Sequence, residues 1–316
     1  VILSASRSTD IPAFYGDWLI HRLERGYVKW LNPFGGPPVY VSFEKTRAIV
    51  FWTKNPAPFL PHLDRLERML PNYYFLFTLN DYDAEGYEPN VPTVARRVET
   101  FKRLAERLGP ARVVWRFDPL VLSDTISAGE LARRIEALAE RLREFTNKLV
   151  VSFVDIERYA KVKRNCAAAG VSCREPTPRE RTDLAAALGR IKDRYGLHVA
   201  TCAQEEDFAA WGIEHNRCID DTLMRREFGN DSELMRFLGP GDKERDTVLH
   251  EAGAVRGHPL KDKGQRRFCG CIVSKDIGQY NTCPHMCTYC YANSSPEAVQ
   301  RNRRARPAGS SGESIV

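Results

Sequence analysis

The sequence contains no cysteine before Cys166, no apolar run approaching the roughly 18 residues of a membrane helix, and no internal repeat. The first absence confines any thiol chemistry to the second half of the chain. The second argues against a helical membrane span. The segment from Val1 to Gly16 also lacks the basic start and apolar stretch of a secretory signal, so a cytoplasmic protein without membrane attachment is predicted. Residue 1 is Val rather than Met, which leaves room for a short leader. No Gly-x-Gly-x-x-Gly follows any strand-like run, and this weighs against a dinucleotide-binding fold.

What is present is a chain of 316 residues with 43% hydrophobic content, enough for a large core in one barrel-sized domain or two small ones. Short β-branched and aromatic runs recur at residues 1–3, 48–52, 74–77, 113–115, 149–153 and 197–200. Apolar throughout, they read as strands buried on both faces, as in a parallel sheet. Between them, residues 59–70, 93–108, 128–145 and 178–195 carry Leu and Ala at helical spacing among Arg and Glu. This alternation predicts an α/β fold, a full or partial (β/α) barrel, with its core in residues 1–207. Residues 208–268 are expected to be irregular with a few short helices. Residues 269–293 are expected to supply a last strand, Cys271–Ser274, and a cysteine loop, and 294–316 a basic flexible tail.

Several of these strands end in polar residues, at the place where barrel enzymes carry their chemistry. Lys54, Asn55, Arg116, Asp118 and Glu205 are the candidates for positioning a substrate and managing protons. The first strand ends in Ser6, Arg7, Ser8 and Asp10. The competing account is that each caps or turns into the helix that follows.

Nine cysteines are an odd number, and in a reducing compartment clustered cysteines read better as metal ligands or catalytic thiols than as disulfides. Cys283, Cys287 and Cys290 have the spacing C-x3-C-x2-C, with Tyr289 just ahead of the last. Three thiolates so spaced can wrap one face of a 4Fe-4S cluster and leave the fourth iron without a protein ligand. An open iron can chelate the amino and carboxylate groups of S-adenosylmethionine and pass an electron to its sulfonium, releasing a 5′-deoxyadenosyl radical. The alternative is zinc, which wants four ligands and would have to recruit His285.

The motif, followed by Tyr291-Ala292-Asn293, resembles the signature of the radical S-adenosylmethionine superfamily. The chain over nearly its whole length also resembles a set within it catalogued as the domain of unknown function 1848. That likeness is carried by Phe51 to Pro56, Thr201-Cys202-Ala203, the stretch from Lys261 to Cys271, and Asp276-Ile277-Gly278 leading to Asn293. The resemblance implies a (β/α) barrel, a cluster on Cys283, Cys287 and Cys290, and Tyr289 stacked near the adenine. Superfamily members usually carry the cysteine loop after the first strand, whereas here it lies near the end of the chain. A circular permutation is implied, with Cys271 to Tyr280 supplying the strand that would otherwise come first and Val1 to Ser6 beside it. The Gly-Gly-Glu-like segment that often binds the cofactor's amino group is missing, so Ser6, Arg7, Ser8 or Asp10 would take that part. Phe34-Gly35-Gly36 reads as a turn.

Cys202, Cys218, Cys269 and Cys271 form a second set, read as ligands of an auxiliary 4Fe-4S cluster, with Gly270 letting two close ligands approach it. Zinc on the same four, or plain buried thiols, are the alternatives. Cys166 and Cys173 receive no role. The expected function is a radical S-adenosylmethionine enzyme that abstracts hydrogen from a substrate and takes electrons from a donor such as a flavodoxin or ferredoxin. The net charge of +6 and Arg301, Arg303, Arg304 and Arg306 suit phosphates, but no nucleic-acid domain is recognisable, so a small molecule or peptide is the favoured substrate. Nucleic-acid modification or repair, an iron-sulfur protein that only transfers electrons or senses redox state, and cleavage to an aminocarboxypropyl radical remain open alternatives.

Overall fold

The computed structural model describes residues 1–33, 35–241, 260–305 and 312–316. The chain opens with β1 (Ile2–Ala5), α1 (Ile11–Phe14), α2 (Gly16–Arg25) and a hairpin of β2 (Tyr27–Trp30) and β3 (Val39–Ser42). The alternating part follows: β4 (Ala48–Thr53), α3 (Leu63–Met69), β5 (Tyr73–Thr78), α4 (Val94–Leu108), β6 (Val113–Leu120), α5 (Ala128–Leu142), β7 (Lys148–Phe153), α6 (Ala160–Ala168), α7 (Pro178–Tyr195) and β8 (His198–Thr201). Last come β9 (Glu214–His215), α8 (Asp221–Phe228), α9 (Ser232–Leu238), β10 (Lys275–Asp276) and α10 (Pro296–Ala305). Eight strands form one parallel sheet in the order β10-β1-β4-β5-β6-β7-β8-β9. β10 and β9 are its edges, and among the described residues no pairing joins them.

The strands are apolar on both faces because both are covered. Leu3, Ile49, Phe51, Phe75, Phe77, Trp115, Leu149 and Val151 pack into the core shared with α2 to α5 and α7. Their neighbours Ile2, Val50, Tyr74, Leu76, Val114 and Val150 face the other way, against Leu223, Met224 and Phe228 of α8, Leu234 and Leu238 of α9, and Cys269, Cys271 and Ile272. The alternation along each strand assigns residues to these two layers. Local signals fix the helices: Thr177 and Glu180 close a capping box at the start of α7, and Gly196 ends it at φ 66°. The buried positions of α4, Val94, Val98, Phe101, Leu104 and Ala105, recur every three or four residues.

Two expectations need correction. The last strand does not run over Cys271–Ser274: Ile272 makes only an isolated bridge to Lys261, and pairing with β1 occurs at Lys275 and Asp276. Residues 294–316 are not a loose tail throughout. Pro296–Ala305 is helical, Ile315 is buried, Gly312 O accepts from Trp18 Nε1 at 2.9 Å, and Glu313 O accepts from Lys29 N at 2.9 Å. Buried apolar contact and backbone pairing hold that end to α2 and β2. Arg306 and residues 307–311 lie outside the described residues, as do 242–259 of the region expected to be irregular. Gly35 and Gly36, with φ of 93° and 100°, sit in the connection between β2 and β3; Phe34 lies outside the described residues. Among the described residues no helix is long and apolar enough to cross a membrane.

β10 is only two residues long, and its exit is fixed by close packing. A Cβ on Gly278 would overlap Ser6 Oγ and stand 2.5 Å from Ser6 Cβ, at the end of β1. Gly278→Ala is therefore expected to cost about 1–3 kcal/mol in chemical denaturation. Adding Ser6→Gly should recover most of the loss; a double variant no more stable than the single would show that the clash is not the cause.

Candidate functional site

The segment from Gly278 to Asn293 has neither helix nor strand, so its buried backbone groups need partners from elsewhere. Amide side chains supply many of them. Asn90 Nδ2 donates to Pro284 O at 2.9 Å, Asn165 Nδ2 to Cys290 O at 2.8 Å, and Asn293 Nδ2 to Cys283 O at 2.7 Å. Tyr15 donates from its hydroxyl to Thr282 O at 2.5 Å, and Thr288 N donates to Tyr87 O at 2.9 Å. Asp10 ties the loop to the sheet. Its Oδ1 accepts from Ala13 N at 3.0 Å and caps α1, while Oδ2 lies 2.7 Å from Lys54 N and 2.8 Å from His285 Nε2. His285 Nδ1 stands 3.1 Å from Asn90 O, so both ring nitrogens are engaged and neither is free for a metal.

Tyr289 is anchored beneath the loop. Its ring is buried edge-on to Tyr82, with centroids 6.0 Å apart, and its hydroxyl donates to Glu88 Oε1. The same carboxylate oxygen accepts from Lys54 Nζ at 2.6 Å and Asn80 Nδ2 at 3.0 Å, while Arg97 Nη1 donates to Glu88 Oε2 at 3.1 Å. Burial favours the neutral acid, but the charges of Lys54 and Arg97 outweigh it and hold Glu88 at about 2. Tyr289, expected beside an adenine, has its hydroxyl fully committed to this cluster.

The thiols of Cys283, Cys287 and Cys290 stand together at the C-terminal mouth of the sheet, partly exposed. Enough protein surrounds them that desolvation raises all three, Cys283 to about 12, and Cys283 and Cys287 also feel the charge of a neighbouring thiol. Backbone N–H groups nevertheless point at sulfur: Asn293 N lies 3.3 Å from Cys290 Sγ, and His285 and Asp10 amides serve Cys283. Such donors favour a thiolate once a metal displaces the proton. Among the described residues no three His, Cys, Asp or Glu side chains converge on one point as a single ion requires. A cubane spreads its thiolates over separate corners and does not ask for that convergence. The donor set, three neighbouring thiols with backbone amides directed at Cys283 and Cys290, fits such a group.

The second set also comes together. Cys202 Sγ lies 3.8 Å from Cys218 Sγ, and the Cys271 thiol contacts those of Cys218 and Cys269. Asn216 Nδ2 donates to Cys218 Sγ at 3.0 Å and Ile219 N to Cys271 Sγ at 3.4 Å. Gly270 is needed for a reason beyond the expected one: a Cβ there would stand 2.9 Å from Asn216 O. Arg116 lies against Cys202, Arg7 against Cys271, and Arg266 beside Cys202 and Cys269. Contacts from Cys218 and Cys269, then the Arg7 guanidinium, push the Cys271 thiol down.

Trp52 packs on the side of the second set, with the Arg116 guanidinium 4.7 Å and the Arg7 guanidinium 5.3 Å from its ring centroid. Arg116 is ion-paired to Asp118, which also accepts from Ser152. Asp276 organises the end of β1: its Oδ2 accepts from Arg7 N at 2.8 Å and Ser4 Oγ at 2.9 Å, and its Oδ1 lies 3.4 Å from Ser8 Oγ. Ser6 Oγ lies 3.0 Å from Ser8 Oγ. The candidates Lys54, Arg116, Asp118, Ser6, Arg7, Ser8 and Asp10 therefore belong to one mouth. Asn55 beside them is half-buried, its amide donating to Thr53 Oγ1 at 3.0 Å. Glu205 does not belong with them: four residues past β8, it is exposed and has no polar partner among the described residues. Glu88, Asp276 and Trp52 were not named as site residues from sequence, although Asp276 and Trp52 lie in stretches that carry the family likeness; Glu88 lies outside the strand runs. Cys166, given no role, contacts Cys173 and places its thiol 3.9 Å from Thr288 O.

Removing the charge of Glu88 strands Lys54 and Arg97 in a buried site, so Glu88→Gln is expected to cost about 3–5 kcal/mol by denaturant titration. With its pKa lowered from 4.5 to about 2, Glu88 stabilises fully above pH 4.5 and loses that contribution as pH falls toward 2. The variant should flatten this part of the stability-against-pH curve; an unchanged slope would remove the carboxylate from that role.

No curated protein and no solved structure matches the chain. A family model described as a domain of unknown function, DUF1848, matches residues 2–292, from β1 through both cysteine sets. Covering nearly the whole chain, that match makes the protein a member of the DUF1848 family.

Proposed function

We propose that the protein is a radical S-adenosylmethionine enzyme with one 4Fe-4S cluster on Cys283, Cys287 and Cys290 and an auxiliary cluster on Cys202, Cys218, Cys269 and Cys271. The observation that carries the reading is the joining of two separate thiol sets at one mouth: Tyr291, next to Cys290, donates from its hydroxyl to Arg7 O at 2.5 Å, and Arg7 lies against Cys271. A cluster on the first set, with one iron open, would supply the electron that cleaves S-adenosylmethionine to a 5′-deoxyadenosyl radical. The protein's own groups hold and orient what enters. Lys54 brings a cation to Cys287 and Cys290, and Lys161 a second one to Cys290. Arg116 and Arg7, stacked on Trp52, and Asp118 line the space between the sets, where a small-molecule or peptide substrate would lie. Ser6, Ser8 and Asp10 at the end of β1 would meet the cofactor's amino acid part.

The edge position of β10, parallel to β1 and running straight into the cysteine loop, suits a circularly permuted partial barrel in which β10 is the topologically first strand.

The test is iron and sulfide content after anaerobic reconstitution, with 5′-deoxyadenosine formation assayed on wild type and on Cys283→Ala/Cys287→Ala/Cys290→Ala. About eight irons falling to about four, with loss of the nucleoside, are expected. About four irons falling to none would remove the auxiliary cluster. Zinc without iron, or no cleavage by reduced wild type, would sink the enzyme reading.

A further inference from the structure

Seven of the nine cysteines fall into the two sets, and the remaining pair, Cys166 and Cys173, lies against the loop that carries Cys283, Cys287 and Cys290. The backbone brings the pair together. Cys166 stands in the last turn of α6; Gly170, at φ 66°, turns the chain back, and Val171 N donates to Cys166 O at 2.9 Å. Arg174 N then donates to Leu122 O at 3.0 Å, which fixes the returning strand of chain beside the helix end. The two thiols touch. Cys166 is buried and Cys173 half-buried, and both line one cavity of about 460 Å³ together with Glu157, Lys163, Arg174 and Glu175. α6 also holds the cysteine loop: Asn165 Nδ2 donates to Cys290 O at 2.8 Å and Asn293 O at 3.1 Å, and Cys166 Sγ lies 3.9 Å from Thr288 O.

Thiols that pack only as small apolar groups need neither each other nor a cavity. A pair already in contact needs only a small adjustment to close a bridge, whose sulfurs stand about 2 Å apart. The cavity has the size of a small-molecule site, and charges of both signs line it beside the thiols. We propose that Cys166 and Cys173 form a thiol–disulfide exchange site that takes a small zwitterionic disulfide, and that closing the bridge changes the hold of α6 on the cysteine loop. One thiolate of the pair attacks the small disulfide; a mixed disulfide forms and one small thiolate leaves. The other thiol gives up its proton and attacks the mixed disulfide; the Cys166–Cys173 bond forms and the second small thiolate leaves. The protein pair is oxidised by two electrons, the small disulfide is reduced by two, and the two cysteine protons pass to the departing thiolates. The bridge is made one residue from Asn165, at a sulfur that faces Thr288 O, so both loop contacts feel it. None of these steps uses a cluster, so the site is tested separately from that reading.

Trypsin cuts after Arg164 and Arg174, which leaves both thiols on one peptide, residues 165–174. The test holds the reconstituted full chain anaerobically in glutathione buffers of rising oxidised-to-reduced ratio, blocks free thiols by alkylation and reads that peptide by mass spectrometry. The doubly alkylated peptide should give way to an unalkylated form two hydrogens lighter than the dithiol, and should return when dithiothreitol is added. In one of Cys166→Ser and Cys173→Ser the remaining thiol should instead retain a glutathione adduct. Amide hydrogen exchange over residues 283–293 should differ at least about threefold between the reduced and oxidised wild type, while that of β5 stays the same. No bridged peptide at any ratio, or an adduct in neither variant, overturns the exchange site. A bridged peptide with unchanged exchange over 283–293 overturns its coupling to the loop.

Discussion

The arrangement depends on two buried carboxylates holding a loop that has no secondary structure of its own. A helix or strand satisfies its own backbone, but residues 278–293 cannot, and their position at a sheet mouth removes much of the water that would otherwise do it. Asp10 reaches the loop through His285 and the sheet through Lys54 N, while Glu88 reaches it through the Tyr289 hydroxyl. Both carboxylates are almost completely buried, yet neither is left uncompensated. Glu88 has Lys54 and Arg97 as counter-charges, and Asp10 accepts a helix N-terminal amide. The thiols thereby inherit the rigidity of the sheet rather than of the loop. For a ligand set that must hold several metal atoms at fixed spacing, that rigidity is the difference between a site and a flexible chelator.

The same constraint explains why so short a strand suffices at the edge. β10 contributes two residues to the sheet, yet Asp276 binds Ser4, Arg7 N and Gly278 N, and Gly278 lies against Ser6. Side-chain contacts replace the missing ladder. Chain order then ceases to matter: a loop fed by the last strand stands next to the first, as it would if β10 preceded β1.

Much of this was legible in the sequence, and the parts that were not have a physical reason. Six strand-like runs fell on six of the eight strands of the sheet because parallel strands are apolar on both faces and stand out from the helices around them. The helix from Pro178 to Tyr195 was readable to the residue, since Thr177, Pro178, Glu180 and Gly196 mark its ends. α1, α2 and the β2–β3 hairpin were not read, because polar and aromatic residues interrupt their pattern. The gathering of Cys202, Cys218, Cys269 and Cys271 followed from topology alone. By contrast, Glu88 sits in a turn-rich stretch between β5 and α4, where nothing local distinguishes a buried hub from a solvated acid; its role appears only when Lys54, Arg97 and Tyr289 close around it. Glu205 failed the opposite way: the chain beyond β8 turns outward before reaching it.

The two thiol sets differ in their electrostatic surroundings, and the difference bears on the proposed division of labour. Near Cys287 and Cys290 the charge of Lys54 is answered by Glu88, while Lys161 adds a second cation beside Cys290. Around the second set stand Arg7, Arg116 and Arg266, each with a carboxylate partner: Asp276, Asp118 and Asp155. Positive charge stabilises an added electron. On the proposed reading, the fourth thiolate gives the second set one more negative charge than the first, and the three guanidinium groups stand where they answer it. Arg7, which touches the second set and accepts the Tyr291 hydroxyl on its carbonyl, stands on the line between them.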